Sequence, residues 1–157
     1  MKILTIVHYK PKHIDAVWIW RNDIQTIKMS LSRKKVTWQE HFDWSQSIIS
    51  SKSRYMYVAE ELEVPIGVIR FDLDKYKNFI YHLTINIDPN KRGMGYGTII
   101  LDETINLFTS ENKKCKYIKA KIRNINVKSI KLFENYGFKK ISPNSEINEY
   151  IFETKNN

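Results

Sequence analysis

Between residues 78 and 109 the chain changes its hydrophobic period across a single glycine-rich turn, and this unit limits the folds open to it. Residues 78–88 alternate, with Tyr81, Leu83, Ile85 and Ile87 on one face and His82, Thr84, Asn86 and Asp88 on the other. That is the period-two pattern of a half-buried strand. Pro89 ends the run, and Arg92-Gly93-Met94-Gly95-Tyr96-Gly97 follows. Residues 98–109 then place Ile99, Ile100, Leu101, Ile105, Leu107 and Phe108 at helical spacing, so the turn opens a helix. A strand that feeds a helix in this way needs a sheet with helices packed on it.

The flanking segments supply the rest of that layer. Residues 2–7 read as a strand, and residues 11–22 as a helix carrying Ile14, Val17, Trp18 and Trp20, with Pro11 suited to the first turn. Thr37 and Glu40 have the spacing of a capping box for a second helix, which carries His41, Phe42, Trp44, Ile48 and Ile49. Residues 54–59 and 66–72 read as strands around a hairpin turn at 60–65. Residues 116–123 alternate again, a helix over 126–136 is stopped by Gly137, and residues 138–141 and 150–152 read as a closing pair of strands. The predicted fold is a single α+β domain spanning residues 1–157, with a mixed, mostly antiparallel sheet of about seven strands flanked by four helices.

The glycine turn lies where backbone N–H groups at a helix N-terminus converge on an anion. Glycine keeps side chains away from phosphate oxygens and permits positive φ. Read alone, the same turn serves equally as a tight bend with no ligand. Two other phosphate motifs do not fit. A P-loop requires Gly-Lys-Ser/Thr, whereas Thr98 follows Gly97 directly. The dinucleotide fingerprint requires Gly-x-Gly-x-x-Gly, whereas the spacing here is Gly-x-Gly-x-Gly.

Composition narrows the partners. The formal charge of +9 favours anions, but the lysines are dispersed and no nucleic-acid motif or aromatic stacking platform accompanies them, which disfavours a nucleic-acid partner. Apolar runs such as Ile3-Leu4-Thr5-Ile6-Val7 are far too short to cross a bilayer, and the N-terminal segment lacks the features of a signal peptide. No membrane association and a cytoplasmic location are therefore expected. The one cysteine, Cys115, allows no internal disulfide and reads as a quiet thiol, and the four histidines are scattered, so no metal is expected.

Arg92 to Gly97 resembles the R-x-x-G-x-G pyrophosphate motif of the GNAT acetyltransferases. Asn126-Val127-Lys128-Ser129, followed by Leu132-Phe133 and Tyr136-Gly137-Phe138, resembles that family's second motif. The resemblance implies acetyl-CoA as co-substrate and no metal. It implies that Arg92, Gly93, Met94, Gly95, Tyr96 and Gly97 hold the pyrophosphate, and that the backbone of Ile85, Asn86 and Ile87 pairs with the pantetheine arm as an added strand. It also places Asn126 beside the pantetheine and Ser129 and Phe133 beside the thioester. Phe133 stands where many members carry a tyrosine acid and has no proton to give. His82 stands where many carry a glutamate base. Imidazole titrates near ~6.5, which suits a base, while a surface histidine without a role fits the pattern equally.

A narrower resemblance, through Trp20-Arg21-Asn22-Asp23, Trp38-Gln39-Glu40-His41 and Ile66-Gly67-Val68, is to the acetyltransferases of bacterial pseudaminic acid biosynthesis. It implies a small-molecule amine as acceptor, the 4-amino group of a UDP-linked deoxy-amino sugar, contacted by Trp20, Arg21, Asn22 and His41. Helix-face packing is the competing reading for the tryptophans. Acetylation of a protein N-terminus or ribosomal protein is the alternative within the family, and a non-catalytic acyl-CoA-binding module is the alternative outside it. The oligomeric state is left open, a homodimer included.

Overall fold

The computed structural model describes residues 3–142 and 146–157. Its strands are β1 Thr5–His8, β2 Arg54–Glu61, β3 Val64–Leu73, β4 Ile80–Ile87, β5 Tyr117–Arg123, β6 Lys139–Ser142 and β7 Ile147–Glu153. They form one seven-stranded sheet in the order β1-β2-β3-β4-β5-β7-β6. Among the described residues β4 and β5 pair in parallel, and the other neighbours are antiparallel. The helices are α1 Ile14–Arg21, α2 Ile24–Met29, α3 Trp38–Ile49, α4 Tyr96–Glu111 and α5 Val127–Tyr136.

The expected α+β order holds, with one helix added. α2 buries none of its six residues, so no apolar stripe marks it in the sequence, and it is fixed at its start by the Asp23 carboxylate, which accepts the Thr26 N–H at 3.2 Å. The capping box of Thr37 and Glu40 forms as its spacing implies. The first strand begins at Thr5; Lys2, included in the expectation, lies outside the described residues. The hairpin turn shrinks to Leu62 and Glu63, both at positive φ (51° and 65°), which is the backbone that matches strand twist in a two-residue loop.

Two hydrophobic layers hold the helices to the sheet. On one face Tyr57, Ile69, Phe71, Tyr81 and Leu83 meet Ile100, Leu101, Ile105 and Phe108 of α4, with the Phe71 and Phe108 rings stacked at 3.9 Å. On the other, Met56, Val58 and Val68 meet Ile14, Val17 and Trp20 of α1 and Ile48 of α3. Strand alternation commits Tyr81 and Leu83 to the α4 side and thereby turns His82, Thr84 and Asn86 towards the face of α1 and α3.

Two buried histidines fasten that second face. Nδ1 of His13 accepts the Lys10 N–H at 3.0 Å, so Nε2 donates to Glu60 Oε1 at 2.8 Å, an oxygen that Lys12 also reaches at 2.6 Å. His41 Nε2 donates to the Ile14 carbonyl at 3.0 Å. Burial pushes both imidazoles below their ordinary value of 6.5, against the opposing pull of these acceptors. Burial alone would raise Glu60, but the hydrogen bonds from Lys12 and His13 outweigh it and hold the carboxyl below 4.5. The folded chain thus keeps both rings neutral while the unfolded chain takes up protons below 6.5, so stability falls as the pH drops through that value, and the contribution of Glu60 is lost further down. The urea midpoint is expected to fall between about pH 7 and pH 5, less steeply in His13→Gln. A midpoint that stays level in both proteins would contradict neutral burial.

Candidate active site

The central feature is a gap in the sheet. β4 and β5 pair only over Ile80–His82 with Tyr117–Lys119. Beyond that point β4 stays on β3 as far as Ile87, opposite Gly67, while β5 stays on β7 as far as Arg123. The Asp88 N–H bonds to the Ile66 carbonyl on the β3 side. Because main-chain groups alternate sides along an antiparallel strand, Asn86 and Thr84 also face β3, whereas Leu83, Ile85 and Ile87 face the gap. Ile85 therefore presents its N–H and carbonyl where an added strand can meet them, and Ile87 its N–H, since the Ile87 carbonyl accepts Arg92 Nε at 3.1 Å. Asn86, expected with them, does not: its main chain serves β3 and its side chain is engaged elsewhere.

At the end of β4 the chain passes through a 3-10 turn, Pro89–Lys91, into the glycine turn. Gly93 (φ 72°) and Gly95 (φ 82°) both adopt the left-handed backbone that disfavours other residues. Gly95 is the N-cap of α4 and offers no side-chain acceptor to its first turn, which lies at the positive end of a long helix. A diphosphate fits such a place. Gly97 has a different task, since a Cβ there would lie 3.3 Å from Leu132 Cδ2 of α5. Met94 is exposed, and Tyr96 is buried with its hydroxyl donating to Glu61 Oε1 at 2.6 Å. Glu61 also receives Lys91 at 3.0 Å, so the turn is tied down on the β2–β3 hairpin.

Arg92 departs from the expectation that it is a phosphate ligand. Its Nε donates to the Ile87 carbonyl at 3.1 Å, Nη1 to Asp23 Oδ2 at 2.8 Å, and Nη2 to Thr26 Oγ1 at 2.7 Å and Asn86 Oδ1 at 3.3 Å. The guanidinium is thus committed to clamping α2 on the end of β4. Burial would raise the Asp23 carboxyl, but the bonds from Arg92 and the Thr26 N–H hold it below its usual value.

His82 occupies the last pairing position before the strands separate, opposite Lys119. Its Nε2 lies 2.7 Å from Asp74 Oδ2. Asp74 Oδ1 accepts the N–H groups of Tyr76 and Lys77 at 2.9 and 3.1 Å, and the bond from His82, followed by that from Tyr76, holds the Asp74 carboxyl below its usual range. An ionised Asp74 assigns the proton of the neutral ring to Nε2 and leaves Nδ1 as the basic nitrogen. Asp74 escaped the sequence reading because it lies beyond the strand pattern, in a turn that only the fold brings back to His82.

Other expected residues divide. Asn126 is the N-cap of α5, accepting the Ser129 N–H at 3.3 Å, so the two belong together at that helix start. Phe133 is 2% exposed and packs edge-on to Phe138 at 4.9 Å, which makes it core and not a wall of the gap. Trp20, at 4% exposure, is closed to a ligand, as is His41 at 2%. Asn22 spends both ends of its amide on the backbone of Val36, each at 2.8 Å. Arg21 bonds through Nη2 to Ser32 Oγ at 2.9 Å, while its Nη1 is buried with no partner among the described residues. Burial also raises the Cys115 thiol to about 12 and the Tyr136 hydroxyl to about 12, so neither is poised for proton transfer near neutrality.

The model of the Acetyltransferase (GNAT) family matches residues 16–138, and the chain belongs to that family. Solved structures with the same fold include spermidine N-acetyltransferase from Vibrio cholerae in complex with CoA and spermine, 13% identical over 96% of this chain and 95% of that one, with a TM-score of 0.82. RimL, a ribosomal L7/L12 alpha-N-protein acetyltransferase in complex with coenzyme A, is 14% identical over 100% and 97%, at 0.84. The Campylobacter jejuni N-acetyltransferase PseH in complex with acetyl coenzyme A is 19% identical over 98% and 100%, at 0.73. No curated protein matches the sequence. The chain is an acyltransferase with acetyl-CoA as its co-substrate and a small-molecule or protein amine as its acceptor. No helix among the described residues is long and apolar enough to cross a membrane.

A valine at Gly95 would strain the backbone as well as obstruct a phosphate, so Gly95→Asn, which tolerates left-handed φ, separates the two effects. Calorimetry is expected to show acetyl-CoA affinity lowered at least about ten-fold in a variant that still unfolds cooperatively. Wild-type affinity in that variant would remove the glycine turn from the cofactor site.

Proposed function

We propose that the chain acetylates the 4-amino group of a UDP-linked deoxy-amino sugar, with His82 as the base. The observation that carries the base assignment is the place of His82: the last residue of β4 paired to β5, on the face turned towards α1 and α3, and held by Asp74. It lies five residues before Ile87, roughly 16 Å by strand rise. An extended arm entering from the glycine turn along the open edge of β4 ends in that neighbourhood.

Acetyl-CoA supplies an activated acetyl thioester. The amides of residues 93–97 hold the diphosphate at the start of α4. Main-chain groups of Leu83, Ile85 and Ile87 bind amide groups of an extended arm by strand addition. Nδ1 of His82 accepts the proton of the acceptor ammonium, so that a neutral amine attacks, and the Asp74 carboxylate stabilises the imidazolium that results. As the C–N bond forms and the C–S bond breaks, the thiolate leaves with help from the positive end of α5 and takes up the proton still held by the new amide nitrogen, since Phe133 has none to give. For the acceptor, support comes from the surplus positive charge, from the unspent Nη1 of Arg21 and from the likeness to PseH.

His82→Gln is expected to lower kcat/KM by on the order of 10² and to change the shape of its pH profile; an unchanged rate and profile would make His82 structural. Arg21→Ala is expected to raise KM for a UDP-linked amino sugar while leaving acetyl-CoA affinity alone, because the nucleotide serves as a remote handle. Thiol release with N-terminal peptides and none with UDP-amino sugars would replace this acceptor by a protein N-terminus.

A further inference from the structure

Beside His82, on the same face, lies a charged cluster with a surplus of donors. Asp72 is the cross-strand partner of His82 on one side and of Arg54 on the other, and Arg70 is the partner of Thr84. Both arginines use Nε on the one carboxylate: Arg54 on Oδ1 at 3.0 Å and Arg70 on Oδ2 at 2.7 Å. Both guanidinium carbons also stand over the Trp44 ring of α3, at 5.8 and 5.2 Å from its centre. Among the described residues the Nη nitrogens of the two arginines have no hydrogen-bond partner.

This is a costly way to build a merely structural ion pair. Two like charges are drawn together over one carboxylate, leaving a net positive charge on a face where both groups are half-buried, with side-chain exposures of 33% and 24%. Anchoring each guanidinium by Nε and by an aromatic face fixes its plane and leaves its outer edge open, which is the arrangement that recognises a planar or tetrahedral oxyanion through several N–H groups. Neighbouring charges do not cancel it, since Asp74 is bound to His82 and Lys119 is paired with Glu149 at 3.0 Å. Thr84 is exposed between Arg70 and the gap, so nothing from β4 covers the approach.

We propose that the Nη groups of Arg54 and Arg70, on the Trp44 platform, bind an anionic group of the acceptor, a phosphate or a carboxylate. This rests on the acetyl-transfer reading above and deepens it. Arg70 is the diagonal cross-strand neighbour of His82, about 7–8 Å away between α-carbons, so the anion and the reacting amine belong to one small molecule or to adjoining parts of a larger one. A polycationic amine meets repulsion at this place, and the site thereby selects acceptors that carry negative charge.

The test uses the protein saturated with CoA, so that the glycine turn is already filled, and follows the Nε–Hε resonances of Arg54 and Arg70 and the Trp44 indole by ¹⁵N NMR. Inorganic phosphate and acetate are titrated separately, and the tighter of the two identifies the group. Saturable shifts at both arginines and at Trp44 are expected, with binding weakened at least about ten-fold in R70Q and in R54Q, and less in R70K, which keeps the charge but loses the fork. Calorimetry is expected to give R70Q wild-type affinity for acetyl-CoA, which tells a failure of this site from a failure of the acetyl-transfer reading. Absence of saturation with either anion, or equal binding by wild type and R70Q, would overturn the proposal.

Discussion

The structure turns on a short parallel pairing. β4 and β5 share three register positions and then part, which leaves one edge of β4 with main-chain donors and acceptors inside a sheet where such groups are otherwise paired. Half-buried backbone polar groups require partners, and an extended chain of amides is the partner that strand geometry accepts. Everything else at the site is arranged about this edge: the glycine turn at its far end, His82 at its origin, and the acceptor-side charges across from it on β3.

Holding the edge open depends on contacts away from it. β5 is kept on its own course by seven antiparallel register positions with β7. The glycine turn is tied to the β2–β3 hairpin through Glu61, which takes Tyr96 and Lys91 together. On the opposite face Arg92 joins α2 to the end of β4 by way of Asp23, Thr26 and the Ile87 carbonyl. One arginine therefore links the segment after α1 to the mouth of the cofactor turn, so that a change at Asp23 reaches the turn without touching it.

Much of this was legible in the sequence where period and special residues carry the signal. The alternation over 78–88, Pro89 and the three glycines marked the strand and the turn, though β4 keeps only Ile80–Ile87 and α4 starts two residues earlier than expected, at Tyr96, and positive φ at Gly93 and Gly95 explains why glycine stands there. What was illegible depends on burial or on contacts distant in sequence. Trp20, Asn22 and His41 looked like an acceptor wall because polar and aromatic residues on a helix read alike whether they meet a ligand or the core; only the fold shows Asn22 closed on Val36 and His41 closed on Ile14. Arg92 matched a motif position, yet its partner Asp23 lies 69 residues away. The Arg54, Arg70 and Asp72 cluster left a faint trace, since Val68, Arg70 and Asp72 alternate with Ile69 and Phe71 and so mark a charged stretch on an inward face.

Amide hydrogen exchange read residue by residue, with and without acetyl-CoA, tests the open edge most directly. Leu83, Ile85 and Ile87 face the gap, whereas Thr84 and Asn86 face β3, so the cofactor is expected to slow exchange at the odd-numbered amides of this stretch and at residues 93–97 while leaving Thr84 and Asn86 as they were. Protection that rises evenly from residue 83 to residue 87, or that appears only at the glycine turn, would contradict strand addition at β4.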